Sequence, residues 1–228
     1  SAAWSFTTLA LPGECAIGTR TVVHFFDDFE TGAIGWTSDG IGNTWALGSG
    51  VTEPHSGATV YHADDVGFVT DQVLMTPPIV LLPDPAYTAI NLQFWNYQEL
   101  EGGDSSDCFD GGVLEVSTDG GSSWTYLPPG VMQTDPYDGP IGGSSNPLYG
   151  IDAWCGDPQG WLRSVVDLDA YVEATVQFRF RLGTDSSVAR PGWDIDDVRV
   201  QSCVPPEGPF FADGFESGDT TSWTNTMP

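Results

Sequence analysis

A succession of short strand-like runs separated by turn residues constrains the fold of this chain more than any other feature. Ten such runs follow one another from Val22 to Ser202, and no segment sustains helical periodicity beyond about two turns. The run at 174–183 alternates apolar residues with Gln and Arg, which gives one buried and one solvated face. The best short helical candidate is Asp169 to Ala174. The pattern predicts an all-β fold, a jelly-roll β-sandwich of two antiparallel sheets with long loops.

The length suits one large domain, because the chain has 228 residues and all-β domains of this size are often single. We expect an N-terminal leader at 1–22, a jelly-roll domain at 23–204 and an acidic C-terminal tail at 205–228. The sequence begins with SAAW, without Met or a signal peptide, and this favours a mature or excised piece of a longer protein.

The charge balance excludes several classes of partner. The chain has no Lys and six Arg against 32 Asp and Glu, with a net charge of −26. Nucleic-acid phosphates and anionic membrane surfaces would be repelled, so we expect neither as a partner. There is no run of about 18 or more apolar residues, so no membrane insertion is predicted.

Paired acids inside an apolar strand predict a metal site. Asp196 and Asp197 interrupt the run GWDIDDVRVQSC, and a buried carboxylate is costly unless a cation or strong donors face it. Because side-chain cations are scarce, Ca²⁺ is the expected counter-ion, and hard oxygen ligands favour it over a transition metal. Two other acidic elements would join this site if the first and last strands are neighbours. The candidate ligands are Asp28, Glu30, Asp64, Asp65, Asp196 and Asp197.

A simpler interpretation of these acids stays open. Asp and Glu are abundant throughout the chain, so most of them could be solvated. All three His residues lie between positions 24 and 62. His24 and His62 could flank the acidic site or take solvent-facing and hydrogen-bonded roles.

Four Cys without metal-type CxxC spacing indicate disulfides and an oxidising compartment, so we expect a secreted, extracellular protein. Sequence alone allows three pairings. We favour Cys15 with Cys203, because each lies just outside the first or last strand-like run. We favour Cys108 with Cys155, because both lie in long polar loops.

Two long loops are predicted, from Glu101 to Gly112 and from Pro128 to Gly160. Loops as long as the second are uncommon in compact domains and are usually functional or tethered, here by a disulfide. Packing of its aromatic rings over the sheet is one interpretation. The other is contact with a sugar or a protein surface, for which the candidates are Tyr137, Tyr149 and Trp154.

Catalytic motifs such as HExxH, GxSxG or a P-loop are absent, so we predict a non-catalytic module. STDGGSSW at 117–124 matches an Asp-box, which shapes a hairpin turn. A sialidase would carry several such boxes and an arginine cluster. A carbohydrate-active enzyme is the alternative, because the paired carboxylates of a glycosidase are recognised only by their separation in space.

The order of several short motifs resembles known extracellular domains. FE, GW and W within 29–45 are followed by LMTPPIVL, LQFWNY, GGVLEV, VVDL, VQFRF and IDDVRVQSC. Over 23–204 this order is similar to the MAM domain and to the cleaved-adhesin domains of gingipain-type bacterial proteases. The resemblance implies a jelly roll, an extracellular location and adhesive or accessory roles. It also implies a structural Ca²⁺ at the FE and IDD positions, here Asp28, Glu30, Asp196 and Asp197.

The chain lacks the early Cys beside FE of eukaryotic MAM domains, which favours a bacterial domain appended to a secreted protease or other hydrolase. We therefore expect a calcium-stabilised module that contacts a polysaccharide or protein surface beside the catalytic domain of its parent protein. A purely structural cap that assists secretion or maturation is the third interpretation. The tail motif FFADGFESGDTTSW echoes FFDDFETGAIGW and resembles a C-terminal tail of secreted proteins in some Gram-negative bacteria.

Overall fold

The computed structural model describes residues 10–81, 88–102 and 107–205. The first nine residues of the expected leader and nearly all of the expected tail lie outside the described residues. Within these ranges no helix is long and apolar enough to cross a membrane. The helical elements there are two short 3₁₀ helices, Pro129–Val131 and Asp169–Tyr171. The strands are β1 (Arg20–Asp27), β2 (Thr37–Ile41), β3 (Ala46–Gly48), β4 (Val60–Asp65), β5 (Thr70–Met75), β6 (Ile79–Val80), β7 (Thr88–Glu99), β8 (Gly111–Ser117), β9 (Thr125–Tyr126), β10 (Met132–Thr134), β11 (Gly139–Pro140), β12 (Asp152–Ala153), β13 (Leu162–Asp167), β14 (Thr175–Thr184) and β15 (Arg190–Val204).

The strands form two main antiparallel sheets. The first has seven strands in the order β10-β13-β7-β15-β4-β3, with β1 also paired to β15. The second has six strands in the order β2-β5-β14-β8-β9, with β6 also paired to β14. A separate two-stranded ribbon joins β11 to β12. The predicted all-β sandwich of two antiparallel sheets is confirmed.

The last strand, β15, organises the seven-stranded sheet. It pairs with β7 along one side, and along the other its first half pairs with β4 and its second half with β1. The register places Val22 opposite Ser202 and Asp27 opposite Val198. The first and last strands are therefore neighbours, which was the condition for bringing their acids together. The register against β7 shifts between Asp196 and Arg199.

Alternation along the strands builds the core between the sheets. In β14 the even-numbered residues from 176 to 182 are fully buried, and the odd-numbered residues between them are partly exposed. This confirms the predicted alternation, and the loss of water from these apolar faces is the main stabilising contribution. The same core cluster contains residues from strands of both sheets, among them Leu74, Phe94, Leu114, Trp193 and Ile195.

The segment at 128–160 is more regular than the sequence predicted. It contains β10, β11, β12 and a 3₁₀ helix, and β10 joins the edge of the seven-stranded sheet beside β13. These short elements give some backbone groups of the predicted long loop hydrogen-bond partners, while most of the segment has no regular secondary structure. The disulfide Cys108–Cys155 anchors the segment beside a small second core. The other disulfide joins Cys15 to Cys203, so both bridges follow the favoured pairing.

The Asp-box forms the turn between β8 and β9. Asp119 Oδ1 accepts a hydrogen bond from the Ser123 amide at 2.9 Å, and its Oδ2 accepts one from the Ser123 hydroxyl at 2.6 Å. The ring of Trp124 packs against Arg179, whose guanidinium carbon lies 4.8 Å from the ring centroid. These contacts give the motif the structural role that its single copy indicated.

Candidate functional site

Asp196 and Asp197 are held by the loop between β3 and β4. Asp196 is fully buried, and its Oδ2 accepts a hydrogen bond from the Ser56 amide at 3.1 Å. Asp197 Oδ1 accepts one from the Ser56 hydroxyl at 3.0 Å, and its Oδ2 lies 2.6 Å from His55 Nδ1. Burial raises the pKa of Asp196 to about 6 in spite of these donors. Both carboxylates are thus hydrogen-bonded to protein groups. A buried acid can be stabilised either by such donors or by a cation, and here donors are present.

Asp194, another fully buried acid of β15, contacts the same loop. Its Oδ2 accepts a hydrogen bond from the Val51 amide at 2.7 Å, and its Oδ1 lies 2.6 Å from His62 Nδ1. His62 Nε2 lies 3.1 Å from a carboxylate oxygen of Asp64, whose side chain is 58% exposed. Burial lowers the pKa of His62, but hydrogen bonds and charges of the two carboxylates outweigh it, so the pKa is raised overall.

Glu30 binds the end of the same loop. Its Oε1 accepts hydrogen bonds from the amides of Ala58 and Thr59, at 2.8 and 2.7 Å. Asp28 Oδ1 accepts one from the amide of Glu30 itself at 3.3 Å. Backbone amides of the loop therefore bind one carboxylate oxygen of Glu30, a residue predicted to be a metal ligand.

The six predicted metal ligands do not gather at one point, which corrects the expectation of a single shared site. The acids near the ends of β1 and β4 meet different parts of β15, because those strands pair with different halves of it. Asp28, Glu30 and Asp64 belong to neither of the two groups of described residues that could share a metal ion. Those groups are His55 with Asp196 and Asp197, and Glu101 with Asp110 and Asp185, beside which Asp65 lies.

The histidine that reaches the Asp pair is also different from the two expected ones. His55 contacts Asp197, whereas His62 contacts Asp194 and Asp64. His24 lies 2.8 Å from the hydroxyl of Ser202 through its Nε2.

Aromatic rings cover the sheet next to Asp197. The rings of His55 and Trp95 are stacked, with centroids 3.6 Å apart and planes inclined by 15°. The Trp161 ring meets His55 edge-on at 6.1 Å and tilts against Tyr97 at 5.6 Å. The indole N–H of Trp161 donates to the carbonyl of Glu53 at 3.0 Å. The β3–β4 loop and the sheet thus hold both indoles in place.

A groove of about 190 Å³ opens beside Trp95 on the seven-stranded sheet. Arg199 is anchored over the ring of Phe26, with its guanidinium carbon 4.7 Å from the centroid. Arg163 donates to Gln93 Oε1 at 2.6 Å. The groove therefore presents fixed planar donors next to an aromatic wall. We call this groove the sheet face. Its lining residues are Phe26, Gln93, Phe94, Trp95, Arg163, Asp197 and Arg199.

The three aromatic residues predicted to contact a ligand occupy different environments. Trp154 is fully buried, and its indole N–H donates to the Asp135 carbonyl at 2.9 Å. Tyr137 is 8% exposed and packs on Trp154 with ring centroids 4.5 Å apart. Both rings belong to the core, because burial removes their large apolar area from water, and this corrects the prediction for them. Tyr149 is exposed, at 61%.

Trp95 lines the groove but was not predicted from the sequence as a ligand-contacting residue. In β7 the side chains at 90, 92 and 94 lie in the core, so Gln93 and Trp95 fall on the opposite face. The alternation within LQFWNY could have revealed this. His55 and Trp161 lie outside the strands, so no alternation pattern could have predicted their positions. The conformation of the loops brings them to the sheet beside Trp95.

No family model matches the chain. One curated relative, bacillopeptidase F of Bacillus subtilis (strain 168), is 29% identical over 174 residues, which cover 75% of this chain. The chain spans 10% of the length of that protein.

Several solved structures are similar to the chain at low sequence identity. TmCBM61 in complex with β-1,4-galactotriose has a TM-score of 0.46 at 14% identity, covering 76% of this chain and 92% of its own. The K3 cleaved-adhesin domain of Lys-gingipain from Porphyromonas gingivalis W83 has a TM-score of 0.44 at 17% identity, covering 80% and 99%. The CBM22-1 xylan-binding domain of Paenibacillus barcinonensis Xyn10C has a TM-score of 0.41 at 12% identity, covering 87% and 100%.

Proposed function

We propose that the chain is a non-catalytic binding module of a secreted protein and that it holds a neutral polysaccharide on the sheet face. The observation that carries this proposal is the groove beside Trp95, where anchored guanidinium groups, an amide and a carboxylate surround an aromatic wall. Sugars offer apolar C–H faces that stack on indole and hydroxyl groups that pair with planar polar side chains. The groove provides both kinds of contact within one surface.

The charges of the sheet face favour a neutral ligand. The charges of Arg163 and Arg199 are partly balanced by Asp197 in the groove. The chain as a whole carries a net charge of −26. The negative charge of the chain would repel a polyanion at long range, and the groove offers no strong local attraction to compensate. A neutral polysaccharide would not experience this repulsion.

The setting that we propose is an extracellular one, beside the catalytic domain of a peptidase. The two disulfides support this, because such bonds persist in oxidising compartments. The similarity to a segment of bacillopeptidase F supports the position within a larger protein. The domain limits at 23–204 and the MAM-like and cleaved-adhesin resemblance belong to the same proposal.

A structural Ca²⁺ is also part of the proposal. Six Arg cannot neutralise 32 acids, and two groups of described residues bring ligand atoms close enough to share a cation. Such an ion would stabilise the sandwich that presents the sheet face.

Affinity electrophoresis of the full chain through gels containing neutral or anionic polysaccharides tests the binding proposal. We expect retardation by at least one neutral polysaccharide and about tenfold weaker retention for Trp95→Ala and for Arg163→Ala, equivalent to about 1.4 kcal/mol. Tyr149→Ala, which removes an exposed ring away from the groove, is the control and should bind as the wild type does.

Three results would overturn the proposal. Retention that depends on Tyr149 and not on Trp95 would place binding elsewhere. Release of sugar from the retained polysaccharide would show a carbohydrate-active enzyme. If no polysaccharide is retained, the sheet face is not a sugar site, and a structural cap becomes the better interpretation.

A further inference from the structure

Four carboxylates from four separate segments meet at the ends of strands of both sheets. Asp65 ends β4, Glu101 follows β7, Asp110 precedes β8, and Asp185 follows β14. Asp65 Oδ2 accepts a hydrogen bond from the Glu101 amide at 3.0 Å, and Asp110 Oδ1 accepts one from the Asp185 amide at 2.5 Å. Carboxylate oxygens of Glu101, Asp110 and Asp185 lie within 4.8 Å of one another. We call these four residues the interior cluster.

Three oxygens of the interior cluster are buried without any hydrogen-bond donor. They are Asp65 Oδ1, Glu101 Oε2 and Asp110 Oδ2, and together they make up three of the five such side-chain atoms among the described residues. Asp65 and Asp110 are 1% and 0% exposed. A carboxylate oxygen that loses water without gaining a partner is unfavourable. These oxygens therefore need either a bound cation or a proton shared between neighbouring carboxyl groups such as Asp65 and Asp110.

The acids of β15 show the opposite situation. Asp194, Asp196 and Asp197 accept hydrogen bonds from the β3–β4 loop. None of their oxygens is among the buried unpartnered atoms of the described residues. A cation at that position would have to displace donors that are already in place. The need for a cation is thus greater at the interior cluster.

A single arginine does not neutralise the interior cluster. Arg190 attracts the carboxylates of Asp65 and Glu101, but Arg190 is exposed. One exposed guanidinium group cannot balance the charge of four carboxylates.

We propose that the interior cluster is a Ca²⁺ site with Asp65, Glu101, Asp110 and Asp185 as its carboxylate ligands. All four offer hard oxygen atoms and none is His or Cys, which favours Ca²⁺ over Zn²⁺. β4 and β7 belong to the seven-stranded sheet, whereas β8 and β14 belong to the six-stranded sheet. The ion therefore joins the two sheets. The inference rests on the calcium part of the proposed function and is independent of the sheet face.

Calorimetric titration of the chelator-treated full chain with CaCl₂, combined with thermal unfolding, tests this site. We expect saturable binding and a Ca²⁺-dependent rise in Tm, with a smaller response to ZnCl₂. Asp110→Asn removes one ligand charge at nearly constant volume and should weaken Ca²⁺ binding by about tenfold or more. Its Tm without Ca²⁺ should stay equal or rise, because repulsion between buried acids is relieved. Glu101→Gln repeats the test at a less buried position.

Asp197→Asn is the matched control, because it alters the other group of potential ligands. Its Ca²⁺ affinity should stay within about twofold of that of the wild type, since distant sites act independently. A Ca²⁺ response that is lost in Asp197→Asn and kept in Asp110→Asn would overturn the inference. A wild type without any Ca²⁺ response would overturn it as well and would indicate protons shared among the acids. Polysaccharide retention is measured separately on chelator-treated protein, so failure of one proposal is distinguished from failure of the other.

Discussion

The imidazole of His55 lies flat against the indole of Trp95, with ring centroids 3.6 Å apart, while its Nδ1 lies 2.6 Å from Asp197. One side chain of the β3–β4 loop thus connects β7 to the irregular part of β15. Aromatic pairs contribute about 0.5–1.5 kcal/mol beyond their buried area. Because Trp95 forms a wall of the sheet face, this loop positions the surface that we propose binds a polysaccharide.

Two substitutions of His55 separate stacking from the contact with Asp197. His55→Phe keeps a ring on Trp95, whereas His55→Ala removes both contacts. We expect His55→Phe to retain polysaccharide within about twofold of the wild type and His55→Ala to lose about fivefold, since roughly 1 kcal/mol of stacking is removed. Affinity electrophoresis and near-ultraviolet circular dichroism measure the two effects. Equal losses in both variants would show that Asp197 rather than the stack orients Trp95.

The buried carboxylate of Asp194 should contribute strongly to stability. Asp194→Ala leaves the Val51 amide and His62 without their buried partner, and we expect a loss of about 2–3 kcal/mol in the free energy of unfolding. Asp64→Ala removes the other, exposed carboxylate on the same histidine and should cost less than about 0.5 kcal/mol. Urea unfolding of both variants gives the comparison. Similar losses would mean that exposure does not decide the strength of these contacts.

Two histidines should give opposite pH dependences of stability. The pKa of His62 is raised in the folded protein above the ordinary histidine value of about 6.5. The contribution of His62 to stability is therefore full below that pH and is lost as the pH rises through the folded pKa. His62→Gln should therefore destabilise the protein more at acidic pH than at alkaline pH. Burial lowers the pKa of His24, so protonation disfavours the folded state and His24→Gln should gain relative stability at acidic pH. Urea unfolding at several pH values tests both signs, and parallel curves for the two variants would contradict this account.

Trp154 should be required for folding rather than for binding. Its side chain is fully buried, so we expect Trp154→Ala to cost about 3–5 kcal/mol. Tyr149→Ala, at an exposed ring of the same segment, should change the free energy of unfolding by less than about 0.5 kcal/mol. Thermal or urea unfolding distinguishes them. A Trp154→Ala protein with unchanged stability and lost ligand binding would restore the surface role predicted from the sequence.

Local patterns explain which parts of the fold were predictable. The alternation of β14 follows from the period of two along a strand, which any 10-residue run displays directly. The pairing of Cys15 with Cys203 follows once β1 and β15 are recognised as the first and last strands of one sheet. The segment at 128–160 was harder to predict, because β10, β11 and β12 have only two or three residues each and show no periodicity.

The sequence by itself determined an acid-rich, disulfide-linked β-sandwich, because alternation, turn residues, charge and Cys spacing are all visible along the chain. Only the tertiary structure decided which acids have donors. Asp196 accepts a hydrogen bond from the amide of Ser56, which lies 140 positions away in the sequence. Asp65 and Asp110 instead meet at strand ends, and each has a buried oxygen without a hydrogen-bond partner. Whether a buried carboxylate needs a cation depends on the donors that distant loops bring to it, and no local pattern records those loops.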